Sequence, residues 1–465
     1  MTKRWTTFLA GWATVTLFLC FPLVTRAQDQ PPDEAPKPAA RAYPPLDTTG
    51  DETPAPDTLL PDMQPLTGVQ NPTLGRVESP HSYWVPGVQY SNTIQSNYPG
   101  AGNSGWTITN YVAANVNLLE SWRASQLAVN YSGGGDFSTD KTLGNGFFQE
   151  LGASQSFQWA RWQLAFFDQF SYLPQSEFGF GGGTGLGLPG GGITSGIPPS
   201  GVAGNLQSLF TAIGPQYDNN FVAQAVYQLS PRASVNVSGS YGILRFVDAG
   251  NIDSDSDGGS AGFNYQLTKE DTIGVVYHYS HLTYLDLPQA IGDNVINIVY
   301  GKKITGRLAL RVFGGPDITT FSVPIGGVTR QVTGSGGADL AYALPRGSLS
   351  LDYNHGVTGG SGVLEGAETD EVSGGVSHRF TRVWSAQAHI GFARNRSIVN
   401  TAGQASYDSV YVGGGISRPL GPNAVFSLAY TANIQTTSAA AGNTSYTQHQ
   451  ITMNFQWHTR PLVLR

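Results

Sequence analysis

The chain has 465 residues and a formal net charge of -7, and only 12% of its residues are charged. The net negative charge argues against nucleic acid as a partner. The 59 glycines and 21 tyrosines, combined with so few charges, are unusual in a soluble domain of this length. This composition is typical of strands that carry one wet face and one apolar face.

The first 27 residues have the pattern of a secretory signal peptide. Lys3 and Arg4 supply positive charge, residues 8–24 are mostly apolar, and small residues stand at Thr25 and Ala27 before a cleavage point. The alternative is an uncleaved anchor helix. The single cysteine, Cys20, lies inside this segment, so a cleaved chain has no thiol chemistry and no thiolate metal site.

Residues 28–80 are rich in proline, with Asp, Glu, Ala and Thr between the prolines. Such a segment cannot bury enough apolar surface to order itself. The sequence therefore predicts a Pro-rich disordered periplasmic arm over 28–80. This arm is either a plain spacer or, through residues 28–70, a docking segment for a periplasmic partner.

Residues 81–465 repeat an alternation of apolar and polar side chains. The segment from Ile451 to Trp457 shows it clearly, with Thr452, Asn454 and Gln456 on the polar side. Successive side chains of a strand point to opposite faces, so each such segment has one apolar and one wet surface. Many of them in series predict an all-β fold, a transmembrane antiparallel up-and-down β-barrel.

Two kinds of connection alternate between these segments. The tight ones lie near 121–123, 160–161, 230–232, 269–271, 302–303, 345–347, 381–382 and 420–423. The longer ones lie near 135–145, 174–215, 248–257, 284–292, 315–328, 357–366, 395–405 and 436–445. Outer-membrane barrels have short periplasmic turns and long external loops. The count is about 18 strands, with 16 as the fallback, and the first strand is expected at 85–97. A β-solenoid or a string of sandwiches is the soluble alternative.

With these features the chain resembles bacterial outer-membrane β-barrel proteins of the porin type, and no specific family motif is present. The near-terminal Phe455-Gln456-Trp457 is similar to the assembly signal of such barrels, although the chain continues to Arg465. Either the last strand is longer or a short tail follows it. The resemblance implies outer-membrane lipid and the barrel-assembly machinery as partners, and it leaves the oligomeric state open.

The loop 174–215 is long, glycine-rich and nearly uncharged. In many porins the third external loop folds into the lumen, so the resemblance implies a constriction here. A surface loop is the alternative. By strand parity, the candidate pore-lining residues are Glu150, His278, Arg311, Asp352, Arg379 and His389. They either set a field across the lumen or pair with each other along the wall.

The segment from Asp253 to Gly258 has Asp at alternate positions, at Asp253, Asp255 and Asp257. Oxygen ligands in this pattern followed by glycine suggest a calcium loop, but the Glu of such loops is replaced by Asn264. A solvated acidic loop is the alternative, and no other cofactor is expected. The eight histidines form no zinc motif, so the sequence does not predict an enzyme.

The preferred functional hypothesis is an outer-membrane channel for passive diffusion of small hydrophilic solutes, with the 174–215 loop as its constriction. The first alternative is an export or secretion barrel, for example for polysaccharide, that works with periplasmic partners. The second is a closed structural envelope protein. The size of an 18-stranded barrel favours the channel, because such a barrel is wide enough to hold water.

Overall fold

The computed structural model describes residues 82–96, 105–139, 145–173, 215–285, 287–398, 405–438 and 446–463. The first nine strands are β1 (Tyr83–Ser96), β2 (Trp106–Ser121), β3 (Ser125–Ser138), β4 (Asn145–Gln158), β5 (Trp162–Leu173), β6 (Gln216–Ser230), β7 (Ala233–Phe246), β8 (Ser254–Gln266) and β9 (Asp271–Tyr284). The others are β10 (Ala290–Lys303), β11 (Leu308–Ile325), β12 (Val328–Leu344), β13 (Gly347–Thr358), β14 (Ala367–Arg379), β15 (Ser385–Ser397), β16 (Ser406–Pro419), β17 (Ala424–Thr437), β18 (Tyr446–His458) and the two-residue β19 (Leu462–Val463). Within these ranges, no helix is long and apolar enough to cross a membrane.

The sheet closes on itself. Each long strand pairs antiparallel with its neighbours in the chain, and β1 pairs with both β2 and β18. The closing register runs from Gly87 opposite His458 to Gln95 opposite Gln450. The predicted all-β up-and-down barrel is therefore confirmed with 18 strands, and the predicted first strand differs from β1 by only a residue or two.

The residues after the terminal aromatic continue the wall of the barrel. Leu462 and Val463 pair with Trp84 and Tyr83, one residue out of register with β18. A bulge at residues 459–461 absorbs this shift, and within it the amide of Thr459 donates to the carbonyl of Pro86 at 2.9 Å. Of the two alternatives for this segment, the longer last strand is the one observed.

The eight connections predicted to be tight all lie at the barrel end that holds Tyr83 and His458, which the predicted alternation of turn lengths assigns to the periplasm. One predicted loop is wrong. Residues 315–328 are mostly strand, because β11 and β12 extend to a two-residue turn at Gly326 and Gly327, whose φ angles are 57° and 86°. A Gly-Gly pair adopts such angles without steric cost and matches the strand twist.

The outward face of the wall is apolar. Cross-strand partners share a face, so this face can be followed around the sheet through Val88, Val112, Val237, Ile298 and Val412, all of which are exposed. Large aromatic side chains crowd the tight-turn end: Trp84, Trp122, Trp159, Trp162, Phe380 and Trp457. An apolar band edged by aromatic rings is the surface that a barrel presents to lipid.

Candidate functional site

Polar side chains cover the inward face of the barrel. The buried residues of this face include Ser91, Thr93, Thr109, Asn115, Ser171, Ser238, Asn264 and Asn433. Several bond to each other across neighbouring strands, as Ser238 and Ser260 do with their hydroxyl oxygens 2.6 Å apart. A barrel with a polar inner face and an apolar outer face has the arrangement of a membrane barrel with a lumen.

The described strands also place many carboxylates on the inward face: Asp136, Glu150, Asp218, Asp293, Asp317, Asp339, Asp352 and Glu371. Basic side chains on the same face are fewer in these ranges. Arg311 lies midway along β11, while Lys303 and Arg379 end their strands at the periplasmic side. The described wall of the lumen therefore has more acidic than basic side chains.

Some of these charged side chains form a row across four strands. Arg311 of β11 pairs in register with Asp339 of β12, and Asp339 pairs in register with Asp352 of β13. The guanidinium of Arg311 forms an ion pair with Asp339 and also lies 5.5 Å from the ring centre of Phe313. Glu371 of β14 lies one inward position beyond Asp352. One arginine thus faces three carboxyl side chains, so acidic groups outnumber basic ones in the row.

The six predicted pore-lining residues all lie on the inward face by register. Glu150 stands between Ser132 and Ser171, and His389 Nε2 lies 2.6 Å from the hydroxyl of Tyr411. Both ring nitrogens of His278 are buried without a protein partner. The structure brings Arg311 and Asp352 into one row and leaves the other four apart. Their role in conduction stays a prediction.

Six of the inward carboxylates are not among the residues predicted from the sequence: Asp136, Asp218, Asp293, Asp317, Asp339 and Glu371. Asp317 falls in the segment that was wrongly assigned to a loop. Asp293 comes directly after the predicted loop 284–292, and too few strand residues precede it for the alternation to show which face it occupies. Both aspartates can be assigned to the inward face if the alternation of apolar and polar residues in β10 and β11 is continued through the predicted loops.

The loop between β13 and β14, residues 359–366, folds into the external mouth of the barrel. The carbonyl of Gly362 accepts a hydrogen bond of 2.8 Å from the amide of Ile252, in the β7–β8 connection. The carbonyl of Gly359 lies 3.3 Å from the hydroxyl of Tyr284, an inward residue of β9. Since three strands separate β13 from β9, the loop reaches these partners through the lumen.

The backbone of this infolded loop is unusually compact. Four of its residues have positive φ: Gly360 at 80°, Ser361 at 54°, Gly362 at 78° and Gly366 at 83°. The amides of Val363 and Leu364 both donate to the carbonyl of Gly360 at 3.1 Å. Three of these four positions are glycine, which adopts such angles freely. The sequence placed a loop here, but its inward path depends on partners in distant strands.

An apolar cluster lies beneath the infolded loop. Inward side chains near the external ends of their strands form it, with Val357 from the end of β13: Leu244, Phe246, Leu282, Tyr284, Ile291 and Phe321. Ile252, Leu287, Ile325, Val363 and Ile398 pack against it. Leu244, Leu282 and Ile291 have no exposed surface. The mouth is therefore narrowed by packed apolar groups on the β7–β11 side of the wall.

Residues 174–214 of the predicted constriction loop lie outside the described residues. The segments predicted as signal peptide and periplasmic arm, 1–27 and 28–80, also lie outside them. Among the described residues, the segment that narrows the lumen is 359–366, for which the sequence predicts only a connection.

The acidic segment 253–257 does not gather its carboxylates around one point. Asp255 and Asp257 lie on β8, and Asp255 forms an ion pair with Arg245 at 2.5 Å. Asp253 is buried, and its Oδ1 accepts a 2.8 Å hydrogen bond from the amide of Phe246. No group of three or more metal-ligating side chains occurs in the described ranges. Calcium at this segment stays a prediction.

The closed wall, the apolar outer band and the wet inner face together decide the class of this molecule. The protein is an integral β-barrel of the bacterial outer membrane. No protein-family model and no curated protein matches the chain.

Solved structures that resemble it include three proteins of Pseudomonas aeruginosa. OpdQ is 9% identical, with 82% of this chain and 99% of that one covered at a TM-score of 0.41. The outer membrane protein OpdK is 8% identical, with 81% and 99% covered at a TM-score of 0.43. OccK2 (OpdF), solved in complex with glucuronate, is 8% identical, with 81% and 98% covered at 0.42. These similarities are too distant to indicate a function.

Proposed function

We propose that the protein is a porin-like channel that lets small hydrophilic solutes diffuse passively across the outer membrane and prefers cations. The observation that carries the proposal is the acidic inward face, with Asp339, Asp352 and Glu371 against the single guanidinium of Arg311. Rings or rows of fixed charge in a pore raise the local concentration of ions of opposite sign. The proposal involves transport and no catalysis.

The size of the barrel supports a water-filled path. Barrels with 16 to 18 strands leave an aqueous channel unless a plug fills them, whereas 8-stranded ones are filled by their own side chains. The infolded loop 359–366 and the apolar cluster under it restrict the external mouth on one side of the wall. In this proposal they help to set the size of the solute that enters, and the loop 174–215 adds a further constriction.

Single-channel recording on the refolded full chain in a planar bilayer tests the proposal. We expect a steady ohmic conductance and, under a potassium chloride gradient, a reversal potential of the sign that marks cation preference. Deletion of 180–205 and, separately, replacement of 360–365 by a short Gly-Ser linker report which loop limits conductance. If conductance increases in only one of the two variants, the loop altered in that variant is the constriction.

The alternatives give different results in the same recording. Silence of the parent and of both loop variants contradicts an open channel. It favours either a closed structural barrel or an export barrel that opens with periplasmic partners. Co-purification of a periplasmic protein that is lost when 28–70 is deleted then separates the second of these from the first. A reversal potential of anion-selective sign contradicts the preference for cations.

A further inference from the structure

The inward face of β9, β10 and β11 is layered below the external mouth. Leu282, Ile291 and Phe321 stand side by side in register and form an apolar row. One inward position closer to the periplasm, Ser280, Asp293 and Thr319 form a second row. In the third row, His278, Val295 and Asp317 stand side by side in register. The two aspartates are therefore diagonal neighbours on adjacent strands.

Both aspartates are sealed from solvent. Asp293 is 2% exposed and Asp317 is not exposed at all. Their carboxylates lie within hydrogen-bonding reach of each other. Asp293 Oδ1 and Asp317 Oδ2 have no protein partner, and Thr319 Oγ1 lies 3.4 Å from the other oxygen, Oδ1, of Asp317. No lysine or arginine forms an ion pair with either carboxylate in the described part of the chain.

Two buried carboxylates this close cannot both be ionised without something positive between them. Like charges in a medium of low polarity repel strongly, and an unpaired buried carboxylate is costly by itself. Either a proton is shared, the neighbouring His278 carries the positive charge, or a cation occupies the space. The pair differs in this from Asp255 and Asp339, which have Arg245 and Arg311 as partners.

We propose that Asp293 and Asp317 bind a divalent cation of the calcium type. Calcium takes oxygen ligands at 2.3–2.6 Å, so neighbouring oxygens of its shell are roughly 3 Å apart, as in a hydrogen-bonded pair of carboxylates. Two unpartnered carboxylate oxygens and the hydroxyl of Thr319 supply oxygen ligands of this kind. Water molecules complete the shell, since calcium readily retains them.

The position of this site gives it a structural consequence. The ion joins β10 to β11 directly beneath the apolar row on which the infolded loop rests, because Ile291 and Asp293 are successive inward residues of one strand. It thus fixes the support of the narrowed mouth. The site is independent of the acidic segment 253–257, which lies elsewhere and in which Asp253 and Asp255 already have protein partners.

Thermal unfolding of the refolded full chain in detergent, with calcium chloride or with EGTA, tests the site. We expect calcium to raise the Tm of the parent and to have little effect on Asp293→Asn and Asp317→Asn. Asp136→Asn is the matched control, because Asp136 is also a buried inward carboxylate, 1% exposed with an unpartnered Oδ1, but has no second carboxylate beside it among the described residues. Asp255→Asn is the control for the acidic segment. Both controls keep the calcium shift.

Terbium luminescence on the same samples measures binding directly, and we expect its affinity to fall at least tenfold in the two pair variants. If these variants do not refold, Thr319→Val is the substitute, with a smaller expected loss. A parent that shows neither a calcium shift nor terbium binding overturns the proposal in favour of a shared proton. Loss of the shift in Asp255→Asn with retention in Asp293→Asn assigns the ion to the acidic segment instead. Conductance recorded on the same variants tests the channel proposal separately, because the cation site is tested by Tm and terbium luminescence and not by conductance.

Discussion

The amide of Ile252 donates a 2.8 Å hydrogen bond to the carbonyl of Gly362 and so joins two connections that lie on different sides of the barrel mouth. Ile252 follows β7 and Gly362 follows β13. The bond between them is possible only because the loop 359–366 enters the lumen. It marks the place where the protein departs from a plain cylinder of strands.

Loosening this loop should change the behaviour of the channel. In Tyr284→Phe the hydroxyl near the carbonyl of Gly359 is lost, and a buried hydrogen bond contributes about 1 kcal/mol. We expect the loop to leave the mouth several times more often, seen as larger current noise in single-channel records. Tyr279→Phe is the control, since that ring faces outward on the same strand. Equal noise in both variants contradicts the role of the loop.

The conformation of Gly366 should resist substitution. Its φ is 83°, and a Cβ at this position meets Ile291 Cδ1 and, at 3.3 Å, the hydroxyl of Tyr284. We expect Gly366→Ala to lower the free energy of unfolding by about 1–3 kcal/mol through backbone strain and this contact. Gly356→Ala, in the same hairpin with open space around it, should have little effect. Thermal melting in detergent measures both, and equal losses would contradict the account.

The inward carboxylates should control ion selectivity. Each of Asp352→Asn and Glu371→Gln removes one negative charge from the row on β11–β14, and the double variant leaves Arg311 with Asp339 alone. We expect the reversal potential in a salt gradient to move toward zero stepwise, with a larger change at low ionic strength because screening is weaker there. Asp408→Asn, on the outward face, is the control. An unchanged reversal potential in the double variant would place the path of ions elsewhere.

Removal of residues 459–465 should leave a closed barrel. The pairing of β1 with β18 from Gly87 to Gln95 does not involve these residues, and β19 adds only two residue pairs. We expect a variant that ends at His458 to refold with a Tm lower by a few degrees, as a loss of about 1 kcal/mol in the free energy of unfolding would give. Ending the chain before β18 should prevent closure altogether. A truncated chain that fails to refold would show that the terminal extension is needed for assembly.

Much of the fold could be predicted from the sequence, because the period of a strand is visible in the chain itself. The alternation around Ile451 to Trp457 gave β18, and the tight connections gave the strand count and the common end of the first and last strands. The error at 315–328 has a local cause. In this segment Ile318 has one strand parity while Phe321, Val323 and Ile325 have the other, so no single apolar face marks it as a strand.

The candidate site was predicted less completely. Parity assigned Glu150, Arg311 and Asp352 to the inward face, but Asp293 and Asp317 fell at or within predicted loops, where parity could not be read. Nothing in the local sequence around Gly362 indicated that it binds Ile252, more than a hundred residues away. Such contacts depend on which strands the closed sheet brings to one side of the mouth.

By itself, the sequence determined that this chain forms a barrel wall with one apolar and one polar face, since each side chain's face follows from its position along a strand. Only the tertiary structure decided where the loop 359–366 lies and which carboxylates meet. The reason is physical: closure and register set the distances between residues on different strands, and no single strand contains that information.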